Sequence, residues 1–175
     1  MRLSYLVKGL PGHPLHPPLT DATIGIYTAA SVLGVLSAIG ISDRNTATAW
    51  WLALVIGLIV TVPTALTGLA DWLGIEWGTP LWRTATSHLL SMVTATVFFL
   101  LAAIFGHGGY VDHTVTTGSL VLTLIGFGLL SLGGWLGGSV VYVHGMRVLK
   151  LVNEPSHRAI APAPTPEKEL AEKTN

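Results

Sequence analysis

The chain has 175 residues, of which half are hydrophobic and only 10% are charged. Soluble domains carry about a quarter charged residues, so this composition indicates a membrane protein. The formal net charge is zero and there is no cysteine. These properties argue against nucleic-acid binding, and they exclude disulfides, thiolate chemistry, iron–sulfur clusters and attached c-type haem within the chain.

Four apolar segments are each long enough to cross a bilayer as a helix, which takes roughly 20 residues. The predicted spans are 19–41, 49–70, 85–105 and 118–143. They predict an all-α fold, an integral membrane four-helix bundle in contact with lipid. A histidine- and proline-rich entry segment (1–18) precedes the transmembrane domain (19–150), and a disordered tail (151–175) follows it. Tryptophans near the span ends predict anchors at the membrane surface; they are Trp50, Trp51, Trp72, Trp77 and Trp82.

Basic residues are distributed unevenly between the two ends of these spans. Eight of the nine lie before the first span, after the fourth span or in the second loop. Only Arg44 lies in a loop on the other side. The positive-inside rule therefore predicts a multi-pass protein with both termini in the cytoplasm.

The most informative motif is Gly12-His13-Pro14-Leu15-His16-Pro17-Pro18, directly before the first span. Each histidine precedes a proline, which disfavours helical backbone at the residue before it. We therefore expect His13 and His16 on a stiff, extended segment. Ionisable residues beside membrane helices are rare and tend to face the bundle interior. Six more lie at the same predicted depth, and they are Asp21, Asp71, Arg83, His88, His144 and Arg147.

Haem b is the leading cofactor prediction. His88 and His144 each lie on a span with small residues along the same stripe, and glycine-lined walls leave room for a porphyrin between helices. His88 and His144 are the first choice of axial ligands, with His13 or His16 as a replacement. A non-haem transition metal held by these four histidines is an alternative, since imidazole suits zinc, copper, iron and nickel. A cofactor-free polar network that locks the helices together is the third interpretation.

The charged members of this set have supporting roles in the haem hypothesis. Asp21 and Asp71 are expected to hold the second nitrogen of a ligating histidine. Arg83 and Arg147 are expected to pair with haem propionates. In the cofactor-free interpretation Asp71 ends a helix and pairs with Arg83, and Arg147 suits a helix C-terminus on the same face as His144.

These motifs resemble those of the DUF2231 family of small bacterial membrane proteins, over about residues 9–148. The matching stretches are Gly12 to Pro17 leading into Asp21, Thr67 to Trp72, Arg83 with His88, Gly133-Gly134, and Val141 to Gly145. The resemblance implies the inner membrane of a bacterium, and a redox setting because relatives are sometimes joined to or encoded near electron-transfer modules. The sparser set on the other side, His107, Asp112 and His113, does not belong to these motifs, nor does His157.

Electron transfer through a bound cofactor is therefore the leading functional prediction, with a redox complex as partner. The rival is a cofactor-free structural or accessory subunit of a larger membrane complex. The glycine pairs Gly133/Gly137 and Gly134/Gly138 allow close helix approach and are compatible with a homodimer. No internal repeat is apparent, which argues against a transporter. No nucleotide loop or nucleophile constellation predicts catalytic activity of the chain on its own.

Overall fold

The computed structural model describes residues 4–149 and 155–160. These residues form helices and no strand, which confirms the all-α prediction. The elements are α1 (Ser4–Lys8), α2 (His16–Ala38), α3 (Asp43–Trp72), α4 (Pro80–Phe105), α5 (His107–Asp112), α6 (Thr117–Gly138), a π-helical turn (Ser139–Val143) and α7 (Ser156–Ala159). Helices α2, α3, α4 and α6 with its π-helical turn are long and apolar enough to span a bilayer. The four predicted spans are thus confirmed.

The first span begins at His16, three residues before the predicted boundary. Pro17 and Pro18 lie in the first turn of α2, where backbone N–H groups have no acceptor within the helix, so proline is tolerated. His16 is therefore helical, which corrects the expectation of an extended segment. His13 lies before the helix and forms an isolated bridge with Leu10. Apart from α7 and the residues beside it, the predicted tail lies outside the described residues.

The last span does not continue as a regular helix to Arg147. After Gly138 the backbone widens into the π-helical turn, and the His144 amide donates to the Ser139 carbonyl. Gly145 and Arg147 both have positive φ, of 68° and 59°. His144 and Arg147 therefore do not share a helix face, which corrects the expectation drawn from their spacing.

The four spans form two similar hairpins, α2–α3 and α4–α6, and each pair packs extensively along its length. The hairpins correspond at an offset of 72 residues between α2 and α4 (16 to 88, 27 to 99, 34 to 106). Between α3 and α6 the offset is 69 residues (57 to 126, 68 to 137). This is a parallel repeat about an axis along the bundle, and it corrects the expectation that the chain has none.

Tyr27 and its counterpart Phe99 meet at the centre of the bundle. Their rings stack with centroids 3.9 Å apart and an interplanar angle of 5°. Each ring lies over a glycine of its own hairpin, Tyr27 over Gly57 and Phe99 over Gly126. The stack therefore joins the two hairpins across the axis.

Trp50 forms a second central contact. It is fully buried, its ring lies against both Gly34 and Gly106, and its indole N–H donates to Thr123 Oγ1 at 3.2 Å. The prediction that Trp50 anchors the chain at the membrane surface is therefore wrong. Trp77, by contrast, is 81% exposed.

Candidate functional site

His16 is fixed by α3, the partner helix in its own hairpin. Its Nδ1 lies 3.0 Å from the Thr64 carbonyl oxygen and 3.3 Å from Thr67 Oγ1. Since a carbonyl only accepts, Nδ1 carries the proton and donates. The ring covers Gly68, where a Cβ atom would lie 2.6 Å from Cε1 of His16. Glycine at this position therefore makes room for the imidazole.

His88 repeats this arrangement in the second hairpin. Its Nδ1 lies 2.7 Å from the Gly133 carbonyl oxygen of α6, so it also donates to the partner helix. The ring lies over Gly137, where a Cβ atom would be 3.0 Å from its Cε1. In the neutral ring with its proton on Nδ1, Nε2 has a lone pair that can bind a metal.

The two imidazoles are neighbours across the bundle axis. Their ring centroids are 6.4 Å apart and their planes are inclined by 77°. Both rings line a cavity of about 330 Å³, at the lower end of the range for ligand pockets. We call this space the histidine cavity. Among the described residues no group of three or more His, Asp or Glu side chains could hold a metal ion.

Asp71 and Arg147 form an ion pair at the mouth of the histidine cavity. Arg147 Nη2 donates to Asp71 Oδ1 at 2.5 Å, and Nη1 donates to the Lys8 carbonyl oxygen at 3.1 Å. Asp71 is 9% exposed, whereas about a third of the Arg147 side chain is exposed. The pair ties the C-terminal segment to α1 and α3, and Arg147, not Arg83, is the partner of Asp71.

Four other predicted site residues lie away from the histidine cavity. His144 is exposed, and its Nε2 contacts Thr84 Oγ1 at 3.0 Å. Arg83, Asp21 and His13 are exposed, and none of them lines the cavity. The structure thus brings together His16, His88, Asp71 and Arg147 of the predicted set and leaves the other four outside.

The glycines of α6 pack against side chains of neighbouring helices in the same chain. Gly133 packs against Met92, Gly137 against His88, and Gly134 against Ile24. They accommodate neighbouring side chains and leave no gap for a porphyrin between α4 and α6. The room predicted for a ring between His88 and His144 is therefore filled, and open space lies on the His16 side of His88.

The three polar residues predicted at the opposite end do not form one cluster. The ring of His107 lies against Trp51, with centroids 5.4 Å apart. His113 Nδ1 contacts Thr48 Oγ1 at 3.0 Å, and Asp112 is exposed.

Comparison with known protein families identifies the family of this chain. Residues 12–150 match the model of a family described as a predicted membrane protein, DUF2231. The chain belongs to the DUF2231 family. The match covers all four spans of this DUF2231 protein together with both histidines of the cavity. No curated protein and no solved structure matches the chain.

Sequence reasoning missed the groups that position the two histidines. Thr64 and Gly133 act through backbone carbonyls, which carry no signature in the side-chain pattern. The glycines under the rings do carry a signal, since Gly57 and Gly68 are spaced like Gly126 and Gly137. These glycines are 69 residues apart, and pairing His16 with His88 requires the offset of 72 residues that Gly34 and Gly106 share.

Proposed function

We propose that this DUF2231 protein binds haem b between His16 and His88 and serves electron transfer in the bacterial inner membrane. The observation that carries the proposal is the close pair of imidazoles, one from each hairpin. His16 and His88 would hold the group from α2 and α4, since imidazole nitrogens bind transition metals and the two ring centroids are 6.4 Å apart.

The hydrogen bonds of the two rings also support ligation. Metal-ligating histidines almost always donate their other N–H to a carbonyl or carboxylate, which fixes the tautomer and orients the ring. Both His16 and His88 do so, to the carbonyls of Thr64 and Gly133. The hydroxyl of Thr20 lies 3.4 Å from Nε2 of His16, but its hydrogen is used by the His16 carbonyl. The Nε2 lone pair is therefore available.

A haem suits a two-histidine set better than a bare metal ion does. A structural zinc ion takes four protein ligands, and the described residues offer no group of three. A porphyrin supplies four nitrogens itself and needs only axial ligands from the protein. This reasoning favours haem over the non-haem metal, and it replaces His144 by His16 as the partner of His88. Bound haem would supply a one-electron couple, and Arg147 is the guanidinium of the cavity lining that could face a propionate.

The absorption spectrum of the purified protein, expressed with haem supply, tests the proposal. We expect a Soret band that is lost in His16→Ala and in His88→Ala and is retained in His144→Ala, whose side chain lies outside the cavity. If the correctly assembled wild type shows no Soret band, the haem proposal fails and the cofactor-free accessory subunit is favoured. Loss in His144→Ala but not in His16→Ala would restore the pairing predicted from the sequence.

A further inference from the structure

The histidine cavity extends along α3 and α4 to a rim that faces lipid. Leu69, Val93 and Val97 line the cavity and are also 41%, 52% and 47% exposed. All three lie within predicted spans, so their exposed surface faces hydrocarbon. The cavity is therefore open sideways to the bilayer between α3 and α4. We call this opening the lateral slot.

The equivalent interface on the other side of the repeat, between α2 and α6, carries apolar residues at two corresponding positions. There Ile24 takes the place of Thr96, and its Cδ1 would lie 3.8 Å from a Cβ atom on Gly134. Leu130 takes the place of Thr61, is 2% exposed and also lines the histidine cavity. One copy of the interface thus has apolar residues at these two positions, and the other copy has threonines. Among the described residues Thr96 has no hydrogen bond across the bundle to replace, whereas Thr61 also lies 3.0 Å from the hydroxyl of Tyr27.

The hydroxyls of Thr61 and Thr96 present acceptors to the cavity. Thr61 donates to the Gly57 carbonyl at 2.8 Å, so Tyr27 must donate in its 3.0 Å contact with Thr61. Thr96 donates to the Met92 carbonyl at 2.8 Å. Both hydroxyl hydrogens are therefore used in bonds within their own helices, and each threonine oxygen has a lone pair that can still accept. A ligand that hydrogen-bonds to both hydroxyl oxygens therefore has to be the donor in each bond.

We infer that the lateral slot admits a lipid-soluble quinol, a ring with hydroxyls on opposite edges and an apolar tail. The two acceptors lie on different helices, α3 and α4, so one hydroxyl of the ring can donate to each. Leu69, Val93 and Val97 provide the apolar path for the tail into the bilayer. This inference rests on the slot and its hydroxyls and not on the haem proposal, although both ligands would occupy the same cavity.

Comparison of the reduced and oxidised forms of one carrier tests the inference. The protein without added haem is placed in lipid nanodiscs and titrated anaerobically with decylubiquinol or decylubiquinone, with tryptophan fluorescence as the readout because Trp72 lines the cavity. The quinol has two donors and the quinone has none, so we expect the quinol to bind about tenfold more tightly or better. Equal affinities would overturn the inference.

Variants that carry the apolar residues of the α2–α6 interface at the lateral slot locate the site. Thr96→Ile and Thr61→Leu insert the residues that the other copy of the interface uses, and each is expected to weaken quinol binding about fivefold or more. Thr94→Ile is the matched control, because Thr94 is exposed, makes the same bond to its own helix and does not line the cavity. If Thr96→Ile binds quinol as well as Thr94→Ile does, the slot is not the site. An absent Soret band would remove the haem proposal and leave this result unchanged.

Discussion

At the scale of single residues, the site depends on two imidazoles, each held against the partner helix of its own hairpin. Each ring donates to a carbonyl of the partner helix and lies on a glycine one turn further along that helix. Neither ring can move toward its partner helix, and neither can turn without losing its hydrogen bond. This rigidity is what a binding site for a cofactor requires.

Gly68→Ala tests this packing. The added Cβ would lie 2.6 Å from Cε1 of His16, so the ring must move or the helices must separate. We expect a loss of about 1–3 kcal/mol of stability, measured as thermal unfolding in detergent, together with weakened haem binding. Gly25→Ala is the control, because a Cβ there meets nothing within 4 Å. An unfolding midpoint for Gly68→Ala at or above that of Gly25→Ala would contradict the packing described.

The ion pair at the cavity mouth predicts unequal effects of its two partners. Arg147→Met leaves the buried Asp71 carboxylate uncompensated, so we expect a loss of about 1–3 kcal/mol. Asp71→Asn keeps an oxygen to which Arg147 can still donate. Solvent hydrates the partly exposed guanidinium that has lost its partner charge, so we expect a loss of stability under about 1 kcal/mol. Thermal unfolding of both variants measures the difference. Equal effects, or a larger effect of Asp71→Asn, would refute this description of the pair.

At the scale of helices, length and hydropathy predicted the spans, because any segment that crosses the bilayer must be apolar. The start of α2 was missed because a proline signals a break only beyond the first turn. The break after Gly138 was missed because the spacing of His144 and Arg147 suits a helix, whereas Gly145 and Arg147 have positive φ in the structure. Arg147 was missed as the partner of Asp71 because a regular helix was expected to continue to Arg147.

Trp50 shows how helix packing overrides a sequence rule. Aromatic residues at span ends are commonly anchors, yet two glycines 72 residues apart, Gly34 and Gly106, admit this indole to the core. Trp50→Phe removes the hydrogen bond to Thr123 and leaves a void, so we expect a loss of about 2 kcal/mol in thermal unfolding. Trp77→Phe, at an exposed position, should change stability by less than about 0.5 kcal/mol. Similar behaviour of the two variants would contradict the burial of Trp50.

At the scale of the whole molecule, the parallel repeat places two equivalent histidines on one axis and then breaks the equivalence around them. Thr64, Thr61 and Asp71 of the first hairpin correspond to Gly133, Leu130 and Val140 of the second. The histidine pairing could have been predicted from the 72-residue offset that Gly34 and Gly106 share. The lateral slot could not, since it depends on which side chains line the two interfaces.

The orientation predicted from basic residues is also a property of the whole molecule. The chain has no cysteine, so single cysteines can be introduced and labelled with a membrane-impermeant thiol reagent. In intact cells with an accessible inner membrane, we expect Asp112→Cys to react and Glu76→Cys to react only after lysis. The reverse pattern would place the histidine cavity at the outer face of the membrane.

The most direct test of haem binding between His16 and His88 is a haem titration of the purified apoprotein followed by its absorption spectrum. We expect saturable binding of one haem per chain, and spectra typical of two histidine ligands. We further expect loss of that spectrum in both His16→Ala and His88→Ala but not in His144→Ala. Absence of saturable binding by the folded protein, or a bis-histidine spectrum that survives in His16→Ala, would contradict haem ligation by this pair.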